Sequence, residues 1–460
     1  MTTAMGAALR RIQLGTALAA FGNGFTVPFL FVYVAQVRDL GASTAGAVLA
    51  AFAVAALVVL PFTGRVIDRR GPLPVAVVGA VAAAAGSLAL GLVSSEPLVV
   101  AAAGTLGAGI AVIQPALATM IVWCSTTVTR SRAFAMQFFL TNLGLGVGGL
   151  LGGLIVDTSR ASSFVLLFSI EAAMFLVLGV TAATVRLPRA PRMEDAVPMD
   201  ERAKGGFRAL LADRAMVQLC VLGFVMFFAC YGQFESGLSA FAVEVARISP
   251  AMLGAALAAN TAVIVLAQFV VLKMVERRRR SRVVALVGLV WTVAWVAAGA
   301  SGLVHSRAMA TAAIISTYAL FGLGEAMLSP TMAPLVADLA PTARVGQYNS
   351  AFALVKQLAL AVGPAVGGLM AGSGMYVAYI AMLIGCSLGI TVLALRLGRR
   401  LTPAQDKPVR APHREPAGDG TVAARVPAPR AESEAVVPVS RAGAAVPAPR
   451  AEAEALPATV

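Results

Sequence analysis

The chain is 460 residues long, 59% hydrophobic and only 13% charged, with a mean hydropathy of +0.84 and a formal net charge of +14. A water-soluble domain carries roughly 25% charged residues to cover its surface, so this composition excludes an ordinary soluble enzyme. It also makes the basic excess a property of loops and not a nucleic-acid footprint.

Runs of about 20 apolar residues, each long enough to cross roughly 30 Å of hydrocarbon, fall at 14–36, 45–63, 73–93, 98–122, 134–156 and 163–185. Six more fall at 216–243, 251–273, 283–303, 308–336, 347–371 and 375–396. Backbone groups in a bilayer must pair internally, which allows helices or closed barrels; continuous Ala, Leu, Val and Gly without alternation select helices. The predicted fold is all-α and integral to the membrane, with twelve transmembrane helices. The first run, behind Arg10 and Arg11, is longer than a signal-peptide core and is expected to persist as a helix.

Basic residues collect in alternate loops. One set holds Arg10 and Arg11; Arg65, Arg69 and Arg70; Arg130 and Arg132; the seven from Arg186 to Arg214; Lys273 with Arg277–Arg280 and Arg282; and Arg344. The other holds only Arg38, Arg160, Arg247 and Arg307. The positive-inside rule then places the first set, and both termini, in the cytoplasm. Four segments follow: a six-helix bundle at 1–185, a central cytoplasmic loop at 186–215, a second six-helix bundle at 216–396, and a disordered cytoplasmic tail at 397–460. The tail is rich in Ala, Pro, Arg and Glu, repeats VPAPRAESEA at 426–435 as VPAPRAEAEA at 446–455, and lacks the apolar content to fold. Arginine outnumbers lysine 32 to 4, which points to a GC-rich bacterial genome and hence a bacterial plasma membrane.

The two bundles repeat one another. At an offset of 215, Gly107-x-Gly109-x-Ala111-x-x-x-Pro115 becomes Gly322-x-Gly324-x-Ala326-x-x-x-Pro330, and Gly148, Gly152 and Gly153 become Gly363, Gly367 and Gly368. At an offset of 208, Asp68-Arg69-Arg70 becomes Glu276-Arg277-Arg278. Duplicated halves are a common plan of secondary transporters, with the solute near the midplane between them.

The loop after the second run, Gly64-Arg-Val-Ile-Asp68-Arg69-Arg70-Gly71, resembles the G-x-x-x-D-R-x-G signature of the major facilitator superfamily. In that family the acidic residue latches the two halves together in one state of the cycle. Here Pro72, Leu73 and Pro74 stand where the family usually continues with basic residues. Gly363-Pro364-Ala-Val-Gly367-Gly368 has the GPxxGG spacing that the family's twelve-helix drug/proton antiporters carry in helix 5. In this chain helix 5 reads Gly148-Gly149-Leu-Leu-Gly152-Gly153, with Gly149 in the proline place. Such small residues serve either as packing or as a hinge at the interface between halves. The buried arginine those exporters carry in helix 4 is replaced by Ala103 and Thr105, with Gln114 and Pro115 further on. The resemblance implies alternating access and, from the exporter branch, proton-coupled efflux of a hydrophobic or cationic small molecule. An importer or uniporter for a small metabolite is the alternative, and a polytopic scaffold or enzyme a more distant one. With two histidines, no triad and no metal cluster, an enzyme is not expected, nor is any cofactor beyond a coupling proton. No G-x-x-x-x-G-K-[ST] segment offers ATP coupling. The chain is expected to bind a small-molecule substrate, to sit in a lipid bilayer as a monomer, and to bind no nucleic acid.

An ionisable side chain inside a span costs roughly 2.5–3.5 kcal/mol on insertion scales and marks a candidate site. Glu171, Glu235, Glu325 and Lys356 are such residues. Glu325 and Lys356 lie at a common depth of about 15 Å from the cytoplasmic side, and their first-half counterparts, Ile110 and Thr141, are uncharged. They are expected to form an ion pair, either structural or opened by protonation. Glu235 shares a helix face with Tyr231 and either carries protons or cationic solute, or faces vestibule water. Asn23, Gln114, Asn142, Tyr231, Gln233, Asn260 and Gln357 either line the solute path or make interhelical hydrogen bonds. Cys124, Cys220, Cys230 and Cys386 lie in or beside apolar segments, without CxxC or metal spacing, and read as small hydrophobes.

Overall fold

The computed structural model describes residues 2–187, 210–234, 236–276 and 278–407, with side chains from residue 6 onward apart from that of Pro250. Among the described residues, twelve helices are long and apolar enough to cross a membrane: α1 Gly6–Val37, α2 Gly41–Arg70, α3 Pro72–Leu92, α4 Glu96–Trp123, α5 Arg130–Ile155 and α6 Ala161–Thr184 in the first half. In the second are α7 Arg214–Glu244, α8 Ala251–Val275, α9 Arg280–Ser301, α10 Arg307–Leu339, α11 Thr342–Gly372 and α12 Tyr376–Gly398. A short helix, α13 (Pro403–Asp406), follows.

The internal repeat is visible in the packing. Within the first half α1 packs on α5 and α6, α3 on α4 and α6, and α2 on α4; within the second α7 packs on α11 and α12, α9 on α10 and α12, and α8 on α10. Each pairing recurs six helices later. Between the halves α2 meets α11 as α8 meets α5, and α4 meets α11 as α10 meets α5. The repeated glycines explain the match. A Cβ at Gly107 would fall 2.7 Å from the Phe52 Cα on α2, and one at Gly322 would fall 2.5 Å from the Asn260 carbonyl oxygen on α8. Gly109 likewise meets α3, and Gly324 meets Trp291 on α9. Small residues let these backbones approach closely.

Each half has its own core. Tyr33, Leu90, Phe164 and Phe168 are buried in the first, and Trp291, Trp295, Tyr318, Phe321 and Tyr379 in the second. Smaller apolar clusters join the halves: Ile121, Val122 and Phe134 with Ala337 and Val345, and Leu60 and Ala111 with Leu354 packed against them.

Two expectations are corrected. The continuous helix expected at 216–243 is broken: Arg214–Ala229 and Gly237–Glu244 flank a 3₁₀ turn at Tyr231–Gln233. Gly232 abuts Gly363 on α11, and the buried Gln233 amide donates to the Phe228 carbonyl at 2.9 Å and the Gly363 carbonyl at 3.3 Å. Side-chain bonds of this kind stand in for the ladder bonds the break removes. The tail also does not begin at 397. α12 runs to Gly398, and Thr402 and Gln405 form a capping box that starts α13. Asp406 then accepts from the Ser281 backbone N–H at 2.8 Å and hydroxyl at 3.0 Å, at the start of α9. Residues 188–209, most of the central loop, and 408–460, most of the expected tail, lie outside the described residues.

Candidate functional site

The two halves are tied together at the end that carries the basic loops. Asp68, near the end of α2, accepts from the backbone N–H groups of Gly346 at 2.7 Å and Gln347 at 3.1 Å. These amides open α11, where unsatisfied donors and the helix dipole favour a carboxylate. Gly64, one turn earlier, is needed for the approach: a Cβ there would lie 2.6 Å from the Gln347 Cα. Gly71 turns the chain into α3 at φ +84°, a left-handed conformation suited to glycine. Arg69 is exposed.

A second tie lies nearby. Asp338, in the last turn of α10, pairs with Arg130 at the start of α5 and with Arg280 at the start of α9, the latter at 2.5 Å. Arg280 also donates to the Gln405 carbonyl at 3.0 Å and to the Ser131 hydroxyl at 3.4 Å. Ser329 donates to the Phe134 carbonyl at 3.0 Å, and Asn349 to the Thr119 hydroxyl at 3.4 Å. Among the described residues, every hydrogen bond and ion pair between the halves lies toward this basic end.

Of the two roles left open for the glycine-rich segments, packing and a hinge between the halves, their contacts match packing. Gly148 and Gly152 pack against Phe21, Gly24 and Phe25 on α1, and Gly363 and Gly367 against Gly232, Gln233 and Gly237 on α7. Both are therefore close contacts inside a half, not at the boundary between halves, because a side chain there would strike the neighbouring backbone. Pro364 is exposed.

Around the middle of the spans, Glu325 on α10 is buried and accepts from the Asn260 amide on α8 at 2.9 Å. Asn260 also donates to the Tyr318 carbonyl at 3.2 Å, and the Tyr231 hydroxyl, at the break in α7, is directed at the same carboxyl. Lys356 on α11 is exposed, with its ammonium 5.2 Å from the Phe227 ring centre, the cation facing an aromatic ring. Its charge and that of Glu325 act on one another, but the direct ion pair expected from the sequence is not formed. Instead Asn260 and Tyr231 hold the carboxyl, and Lys356 has no acid in contact among the described residues. Gln114 is exposed in the middle of α4, the helix that meets α11 across the boundary. Gln114 and Lys356 are thus accessible polar side chains near mid-span on two helices that meet across the boundary.

The other candidates separate. Gln233 is fully buried and also accepts from the Tyr379 hydroxyl at 3.0 Å, so it braces α7 against α11 and α12. Glu171 is buried inside the first half, where Ser87 donates to it at 2.6 Å. Asn142 donates to the Phe138 carbonyl of its own helix at 2.9 Å. The Asn23 side-chain oxygen is buried without a partner, and Gln357 is half-buried. Glu235 lies outside the described residues.

The sequence model of the Major Facilitator Superfamily matches residues 12–316 and 239–439. The chain belongs to that superfamily. It is similar to Multidrug resistance protein 2 of Bacillus subtilis (strain 168), with 22% identity over 394 residues, spanning 83% of this chain and 94% of the relative. It is also similar to an uncharacterized MFS-type transporter, YdeE, of Escherichia coli (strain K12): 23% over 359 residues, 77% of this chain and 86% of that one. Among solved structures, a bacterial homologue of the iron transporter ferroportin, in its outward-facing state, shares the fold with a TM-score of 0.71 at 14% identity, over 85% of this chain and 100% of that one. The chain is thus a multi-pass membrane transporter of small molecules and not an enzyme.

Sequence reasoning missed some of this major facilitator's residues. The sequence pattern marks Arg130 and Arg280 only as topology signals and does not single out Asp338. An acid inside the last turn of an apolar run was the available clue. The aromatic chain Phe227–Tyr231–Phe234–Phe321, with ring centres 5.3, 6.0 and 5.4 Å apart, was equally unmarked.

Proposed function

We propose that this transporter exports a hydrophobic or cationic small molecule in exchange for protons, by alternating access, with the basic end in the cytoplasm. The observation that carries the reading is Glu325. It is a carboxyl buried at mid-span, held by neutral partners, with no cation in contact among the described residues. Proton uptake there removes a charge whose burial is costly, so the group has a reason to load and unload a proton as the halves move. The aromatic side chains beside Tyr231 supply an apolar, cation-tolerant surface. The similarity to a multidrug resistance protein supports efflux, and the charge sorting of the loops supports the orientation.

The exposed Lys356 favours a second reading, in which the solute carries a carboxylate or phosphate that meets the ammonium. Proteoliposomes with an imposed pH gradient distinguish the two. On the export reading, labelled cationic dyes accumulate against their gradient in the wild type. Glu325→Gln still exchanges labelled for unlabelled dye but does not accumulate it. Transport of organic anions alone, abolished by Lys356→Gln, overturns the export reading in favour of the second.

A further inference from the structure

The repeat places two equivalent latches at the basic end, and among the described residues only one of them is closed. The amides of Gly346 and Gln347, at the start of α11, bind Asp68. At the offset of 215 their counterparts are Ser131 and Arg132, at the start of α5; at the offset of 208 the counterpart of Asp68 is Glu276. The N–H groups of Ser131 and Arg132 take no acceptor among the described residues, and the α5 N-cap, Thr129, makes no side-chain cap. Glu276 is exposed and bonds to neither.

A cavity of about 140 Å³ stands where that carboxylate would be, lined by Ser131 and Arg132 from one half and by Glu276, Arg278 and Arg280 from the other. Arg280 is only 2% exposed, and its Nε is buried without a partner. Arg280 is held by Asp338, so its charge is matched; the exposed Arg132 and Arg278, two free helix amides and a single carboxylate, among the described residues, still leave the cavity a net positive character. That set matches the recognition of a phosphate: planar forks that donate in pairs, and a helix start that favours an anion.

We propose that this cavity binds a phosphate-bearing anion, and that the anion closes the second latch. Its lining comes from both halves, so an occupant contacts both only when the basic end is shut. By mass action it therefore favours the closed arrangement. The proposal does not depend on what the transporter carries.

The test uses the full chain, purified in neutral detergent, with its melting midpoint followed at constant ionic strength. One arm titrates inorganic pyrophosphate against chloride. The other compares nanodiscs of phosphatidylcholine with nanodiscs containing phosphatidic acid. The proposal predicts a saturable rise in midpoint with one of these sources. Arg132→Gln and Arg278→Gln, both at exposed positions, should raise the half-saturating concentration about tenfold or more together, the equivalent of losing about one charge-assisted hydrogen bond. Their midpoints without the probe should match the wild type. Glu276→Gln, which removes the carboxylate from the lining, should lower it. A response to pyrophosphate identifies a soluble phosphate, and a response to phosphatidic acid alone identifies a lipid headgroup. No saturable response to either source, or one unchanged in the Arg132/Arg278 double variant, overturns the proposal.

Discussion

Replacing Arg130 with Met separates the gate from the fold. Asp338 bonds both Arg130, from the other half, and Arg280, from its own. In Arg130→Met the buried Asp338 keeps Arg280, so no uncompensated carboxylate is left and the second half should remain intact. What is lost is a charge-assisted contact that exists only when the basic end is closed. Such bonds contribute about 1.5–3 kcal/mol. Taking ~2 kcal/mol, the ratio of closed to open molecules should fall about 30-fold, since about 1.4 kcal/mol is a factor of ten. The assay is electron–electron spin distance measurement in a background with the four cysteines replaced, with labels at the exposed Thr127 and Thr342, one in each half at this end. The wild type should give one short distance, and Arg130→Met a substantial second population at longer distance. An unchanged distribution in a correctly folded variant would refute the reasoning that this ion pair holds the halves together.

Three further outcomes follow from the geometry. Gly64→Val should open the same end, because even a Cβ overlaps the Gln347 backbone; Gly148→Val should instead lower yield and melting temperature, because its clash lies inside the first half. Asp406→Ala removes two bonds to Ser281 and should cost about 1–3 kcal/mol, seen as a lower melting midpoint, whereas deleting residues 408–460 should leave that midpoint unchanged. Gln233→Leu deprives the break in α7 of its bonds to Phe228, Gly363 and Tyr379. It should destabilise the second half, and a wild-type melting profile would contradict a bracing role.

The spans were legible because each is a long apolar run, and the repeat because Gly107, Gly109, Gly322 and Gly324 keep two helices close to a third in each half. Asp68 was legible from the loop motif. The break in α7 was not, since Tyr231, Gly232 and Gln233 interrupt no hydropathy run and the break depends on Gly363, 131 positions away from Gly232. The Asp338 cluster was hidden for a related reason: its arginines stand in loops whose charge already had a topological explanation, and Arg130 is 208 residues from its partner. Glu325 was found by its cost, but its partner was misjudged. Depth along a helix places two charges at one level without fixing their direction around the axis, and Glu325 turns to Asn260 on α8. Gly148 and Gly363 were legible as close contacts, but spacing does not reveal which neighbour makes the contact, and so left packing and hinge roles open.

The most direct test of the central claim is proton release from inside-out vesicles energised to be acid inside, as candidate solutes are added to wild type, Glu325→Gln and Glu235→Gln. Coupled exchange through Glu325 predicts solute-dependent release in the wild type and in Glu235→Gln, and none in Glu325→Gln. Release that persists in Glu325→Gln, or labelled solute that equilibrates in the wild type without moving protons, would contradict it.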